Sequence, residues 1–161
     1  MLIPRPRDST TGKKKIKNKQ MKINLQKENN SSTKFIAKNS IGHSVAMENS
    51  SIKNPTAASP MELVLMAVAG CSSIDIVHIL EKQKLEIEHL EVNVNGTRRD
   101  EIPRYFTSID LEVIIDGEIP ASKALRALDL SFGTYCSVSK MLEKSTKINY
   151  SLVLNGEKVE K

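Results

Sequence analysis

The chain is 161 residues long, 39% hydrophobic and 27% charged, with two cysteines, three tyrosines, three phenylalanines and no tryptophan. That is ordinary globular composition at a length able to bury a core, and it excludes wholesale disorder, a collagen-like repeat and a disulfide scaffold. The formal charge of +5 would point to nucleic acid only if it belonged to the fold, and it sits almost wholly at the front.

Residues 1–20 hold Arg5, Arg7, Lys13, Lys14, Lys15, Lys17 and Lys19 against Asp8, a balance of +6. Taking 7 from 24 basic and 1 from 19 acidic residues leaves 17 against 18, or −1, on residues 21–161. A segment this basic, poor in apolar residues and carrying Pro4 and Pro6, predicts a disordered leader or a start-site extension, with Met21 as an alternative start and a single domain over 21–161. No apolar run of about 7 to 15 residues follows the basic residues, so a secretory signal is not expected and a cytoplasmic protein is. Neither nucleic acid nor membrane is an expected partner.

From Met21 to Glu48, apolar residues alternate in three short runs: Ile23 and Leu25, Phe35 and Ala37, Val45 and Met47. Turn-forming clusters at 29–32 and 39–43 separate them, which predicts a three-stranded antiparallel meander with one face buried. A polar loop follows at 49–58. Ser59-Pro60-Met61-Glu62 then reads as a capping box, with Ser at N-cap, Pro at N1 and Glu at N3. Behind it the chain is apolar on every side to about Lys82, a helix of about 34 Å at 1.5 Å per residue. Its uninterrupted apolar stretch falls short of the roughly 18 residues of a membrane span, and Glu62, Asp75 and His78 break it, so a buried core helix is expected.

Ile87, Leu90, Val92 and Val94, then Phe106, Ile109, Leu111, Val113 and Ile115, predict the two strands of a long hairpin around the charged stretch 96–104. Pro120 opens a helix with Ala124, Leu125, Leu128 and Phe132 at helical spacing, which Gly133 is expected to stop. A short helix from about Tyr135 to Glu143 and a strand through Ile148, Tyr150, Leu152 and Leu154 complete the chain. Strands and helices come in blocks, which predicts an α+β fold with antiparallel sheets around the long helix. Covering that helix on all sides favours a homodimer.

Chemistry centres on the cysteines. Cys71 lies in the long helix, and Cys136 opens the short one, where backbone donors are expected to lower a thiol pKa. No Cys-x-x-Cys or Cys/His ligand spacing is present, so neither a metal nor a cofactor is expected. Cys71, Asp75 and His78 share a helix face, but seven residues is about 10.5 Å of rise, too far for His78 to take the thiol proton. His78 is instead expected in the core or an interface. Two thiols on neighbouring helices suit a reversible pair, one oxidised to a sulfenic acid and the other resolving it; an inert packed Cys71 is the simpler reading of composition alone.

Ser59-Pro60, the helix through Ala69-Gly70-Cys71, the hairpin from Gly96 to Phe106, and Tyr135-Cys136-Ser137-Val138-Ser139 together resemble the OsmC/Ohr family of thiol-dependent hydroperoxide reductases. Pro-Met-x-Leu-x-Leu-Met-Ala at the helix start is similar to the YhfA-like branch, and the resemblance spans about residues 21–161. It implies an intertwined α+β homodimer, Cys71 as peroxidatic and Cys136 as resolving cysteine, a hydroperoxide substrate and an external dithiol reductant. The family's catalytic Glu directly follows the helix-start Pro, where this chain has Met61, so Glu62 is only a candidate for that role. The family's activating Arg has no counterpart between Met21 and Cys71, where Lys34, Lys38 and Lys53, or later Arg98, Arg99 and Arg104, are the available cations. The expected activity is a cysteine-based peroxidase in oxidative-stress defence. The alternative is a non-catalytic dimer of the same fold that binds a small apolar ligand in a central cavity.

Overall fold

Polar side chains that imitate backbone turns set the first sheet. The computed structural model describes residues 20–160, so the expected leader falls outside the described residues except for Gln20. Strands β1 (Ile23–Lys27), β2 (Lys34–Asn39) and β3 (Ser44–Glu48) form the expected three-stranded sheet in that order. At the first turn Ser31 Oγ accepts from the N–H groups of Thr33 and Lys34. At the second, Asn39 Oδ1 accepts from those of Ile41 and His43. One expectation is corrected here: β1 is exposed along its whole length, with Ile23 66% and Leu25 52% accessible, so within one chain the meander lacks a fully buried face. The chain divides into two compact units, one ending at Ala46 and the other beginning at Met47.

In the second unit a polar loop leads to α1 (Pro60–Glu81). The capping box is formed as the sequence implies: Glu62 N–H donates to Ser59 Oγ at 3.3 Å and Ser59 N–H donates to the Glu62 carboxylate at 2.6 Å. The buried residues of α1, Val68, Ser72, Ile76 and Leu80, recur every fourth position and face the second sheet and the following helices. This corrects the expectation of a helix buried all round. Met66 and Ile74 are 57% and 60% accessible on another face, where Ala67 and Gly70 are also exposed. By length and composition α1 is long and apolar enough to cross a membrane, which the shorter uninterrupted run in the sequence had argued against.

The second sheet has the order β4 (His89–Arg98), β5 (Phe106–Asp116), β6 (Lys147–Leu154), β7 (Glu157–Val159). β4 and β5 are the expected hairpin, with a register shift after Thr97 that pairs Thr97 with Ser108 but Arg98 with Phe106. The extra residue on β5 flips the alternation, so Phe106 and Ile109 both point into the core although their spacing is odd. β6 lies parallel to β5, a departure from the all-antiparallel expectation. A parallel neighbour needs a crossover, and α2 (Ala121–Leu130), a π-helical turn (Ser131–Tyr135) and α3 (Ser137–Leu142) supply it. Gly133 lies inside the π-turn and does not end the preceding helix. Strand β7, which the sequence reading omitted, follows a two-residue turn at Asn155-Gly156, both at positive φ, which suits the right-handed strand twist.

Candidate functional site

The site lies where the middle of α1 meets the end of the π-turn. Ser131 Oγ donates to the Ser72 carbonyl at 3.2 Å, tying the turn to the helix residue next to Cys71. Ser72 itself is fully buried, and its hydroxyl folds back on the Val68 and Ala69 carbonyls. The π-turn carries the chain to Cys136, which caps α3: Ser139 N–H and Ser139 Oγ–H both donate to its sulfur, at 3.4 and 3.1 Å.

This brings together residues 65 positions apart in sequence. Cys71 and Cys136 are both free thiols, the first half-buried and the second with no accessible surface. Their sulfurs and a carboxylate oxygen of Asp75 all lie within 4.8 Å of one another. Asp75 is one turn beyond Cys71 on the same face, as 3.6 residues per turn requires. Its Oδ2 is buried and has no hydrogen-bond partner among the described residues. Asp75 also lines an open cleft of about 300 Å³ with His78, Ile79, Lys82, Leu130 and Tyr135.

The electrostatics of Cys136 differ from the sequence expectation. Burial is the strongest influence and pushes its thiol pKa up; the two Ser139 donors pull it back, and the neighbouring Cys71 raises it again. The net direction is upward because the low-dielectric setting of the sulfur outweighs the helix-start donors. A buried, protonated thiol beside a more accessible one is the division of labour that a resolving and an attacking cysteine need.

Glu62 is an exposed residue whose carboxylate is held by the Ser59 backbone and hydroxyl, which lower its pKa. Nine residues, about 13.5 Å of helical rise, separate it from Cys71. His78 is exposed, not buried in the core of this chain. Arg99 lies over the Tyr105 ring and donates to the carbonyls of Glu101 and Ile102. Arg98 and Arg104 donate to each other's end of the loop and Arg104 also pairs with Asp100. Lys34 pairs with Glu28. Among the described residues no Lys or Arg forms an ion pair with Asp75. Among the described residues these three atoms are close enough to be weighed as metal donors, but their spread of up to 4.8 Å exceeds the roughly 3.8 Å between sulfurs on tetrahedral zinc, so the cluster does not fit that ion. Sequence reasoning had put Asp75 on the Cys71 face and had paired Cys71 with Cys136; it did not bring Asp75 into that pair, because a three-way meeting between distant segments leaves no local signal.

Comparison with known proteins follows the same lines. The family model for OsmC-like protein matches residues 53–151, more than half of the chain. Protein YhfA of Escherichia coli strain K12 is 43% identical over 118 residues, which cover 73% of this chain and 87% of the relative. The crystal structure of an OsmC-like protein from Mycoplasma pneumoniae superposes with a TM-score of 0.73 at 17% identity, covering 86% of this chain and 99% of that one. An organic hydroperoxide resistance protein from Elizabethkingia anophelis superposes with a TM-score of 0.69 at 12% identity, over 87% and 99% of the two chains. At such identities the likeness is one of fold.

Proposed function

Because the chain belongs to the OsmC-like protein family, we propose that it is a cysteine-based peroxidase, reducing organic hydroperoxides or hydrogen peroxide, with Cys71 as the attacking thiol and Cys136 as the resolving one. The observation that carries this reading is the approach of two free thiols to within 4.8 Å, one reachable from solvent and one sealed. The Cys71 thiolate attacks the distal peroxide oxygen, the O–O bond breaks, and alcohol or water leaves a sulfenic acid on Cys71. Cys136 displaces the hydroxyl as water to give a disulfide, and an external dithiol reduces it. The sulfurs must close to about 2.05 Å for that bond, a side-chain movement for groups already neighbours. The fold shared with a hydroperoxide resistance protein supports this chemistry.

The working form in this reading is a cytoplasmic homodimer. The exposed Met66 and Ile74 give α1 an apolar stripe, which a second copy covers. α1 is thus an assembly helix and not a membrane span. A second reading, a non-catalytic dimer binding a small apolar ligand, is favoured by Glu62 being engaged in its own helix cap and by three arginines engaged in their own loop.

Thiol titration separates the two. Adding cumene hydroperoxide to the reduced chain should consume both thiols with one peroxide per chain. Cys71→Ser should abolish the loss, and Cys136→Ser should leave a sulfenic acid that dimedone traps. If wild type loses no thiol at neutral pH, the peroxidase reading fails and the ligand-binding one takes its place.

A further inference from the structure

The disulfide-forming step raises a proton problem. Cys136 has no accessible surface, and its burial holds the thiol in its protonated form. It must nevertheless lose that proton to attack Cys71. The Ser139 groups facing its sulfur donate hydrogen bonds and are badly suited to accept the proton. Asp75 is the group in the cluster that accepts well: its Oδ2 is buried without a partner, and the residue reaches both the sulfurs and the open cleft. A buried carboxylate oxygen lacking a hydrogen bond is costly to maintain and calls for an explanation by use.

Resting on the two-cysteine cycle proposed above, the geometry points to Asp75 as the acid–base residue of disulfide closure, taking the Cys136 proton and passing it to the departing oxygen. The Asp75 carboxylate accepts the S–H proton of Cys136. The Cys136 sulfur pair forms the S–S bond as the S–O bond of the Cys71 sulfenic acid breaks. The leaving hydroxyl takes the proton from Asp75 and departs as water, so the carboxylate is regenerated and no outside oxidant is needed. Separations of up to 4.8 Å are bridged by a small side-chain rotation or one water, the range over which general bases work. The other titratable groups at this point are Cys71 itself and, lining the same cleft, His78 and Lys82 from α1 and its C-cap and Tyr135 from the π-turn. The cleft gives the water a way out.

The test drives closure without peroxide. Stoichiometric dithiodipyridine on the reduced full-length chain releases one thiopyridone as the more accessible Cys71 forms a mixed disulfide, and a second as Cys136 closes on it. In Asp75→Asn, whose first release is measured separately because Asp75 also neighbours Cys71, the second release should be slowed about 10² to 10⁴-fold at neutral pH, the usual worth of general acid–base catalysis. The deficit should shrink as pH rises and Cys136 ionises unaided, and Asp75→Glu should recover part of the rate. In wild type the second release should show a normal solvent deuterium isotope effect, a readout that does not depend on any variant folding. An unchanged second release in Asp75→Asn, a deficit equal at every pH with no recovery in Asp75→Glu, or an inverse isotope effect would overturn the assignment. Cumene hydroperoxide is the separate arm: a chain that closes its disulfide with dithiodipyridine but ignores peroxide loses the peroxidase reading and leaves the role of Asp75 to be judged on the second release.

Discussion

At the scale of single residues the structure separates the two thiols by burial, Cys71 half-buried and Cys136 with no accessible surface. Cys136 opens a helix, and from sequence that argues for a lowered pKa. Its complete burial argues the reverse, and burial wins because desolvation acts on the whole thiolate while the Ser139 donors offset only part of it. The sign for stability follows. A thiol whose pKa is raised on folding contributes stability that is fully present below the unfolded value, about 8.5, and is lost as pH rises through the folded value. In a Cys71→Ser background, reduced protein with Cys136 intact should therefore lose stability through the alkaline range faster than the same protein with Cys136→Ala. The difference has a slope of at most about 1.4 kcal/mol per pH unit, one proton's worth, and urea unfolding at stepped pH measures it. Parallel curves would show that the Cys136 sulfur is not desolvated in solution. Both cysteines were legible as candidates, and helical spacing put Asp75 beside Cys71. The two cysteines were also paired from sequence; what could not be read was that the Asp75 carboxylate lies at that pair, which depends on how a π-turn delivers Cys136.

At the scale of elements, legibility followed local signals. The capping box that begins α1 is written in four consecutive residues, and the structure forms both of its hydrogen bonds. The β4–β5 hairpin is written in alternation, but the pairing beyond it is not. Nothing in residues 147–154 says whether they lie parallel or antiparallel to β5, since that is decided by the crossover helices. β7 had a signal, Asn155-Gly156, a dipeptide that favours the two positive φ values of a tight hairpin turn; three residues beyond it were simply too few to read as alternating. Gly96 on β4 carries a constraint of another kind, since it is exposed itself but backs onto a buried ring. A Cβ there would collide with the Phe106 ring and lie 2.9 Å from Leu65 Cδ2. The backbone leaves that space for the ring that the register shift after Thr97 turns inward. Gly96→Ala should cost about 1 to 3 kcal/mol by overpacking, read as a lower urea midpoint. The pair Gly96→Ala with Phe106→Leu should recover part of the loss, and a neutral Gly96→Ala would mean that Phe106 does not occupy this space.

For the whole molecule, the unexplained quantity is apolar surface. Ile23 and Leu25 on β1 and Met66 and Ile74 on α1 are each more than half accessible in the single chain. A three-stranded sheet gains little independent stability until one of its faces is packed, and large exposed apolar patches mark interfaces. Charge does not oppose self-association, because residues 21–161 carry only −1 while the +6 lies on residues 1–20. The proposed association between copies would resolve two burdens together: it would cover the stripe on α1, and it would remove water from a helix that carries Cys71 in its middle. Fully burying an exposed aliphatic side chain of this size contributes about 1.5 to 3 kcal/mol, and Met66 and Ile74, 57% and 60% accessible, have a little over half of that left to gain, in each of two copies of the proposed dimer. Light scattering at micromolar concentration should give twice the chain mass for wild type. Met66→Glu with Ile74→Glu should shift it to the monomer and lower the unfolding midpoint, since four buried carboxylates cannot be accommodated without partners. A wild type that scatters as a monomer would overturn the dimer and leave these side chains in water. The same pair of variants links assembly to chemistry: if the second copy shields the Cys71 environment, the monomer should alkylate Cys71 faster than wild type, while Cys136, sealed within its own chain, should keep its slow rate.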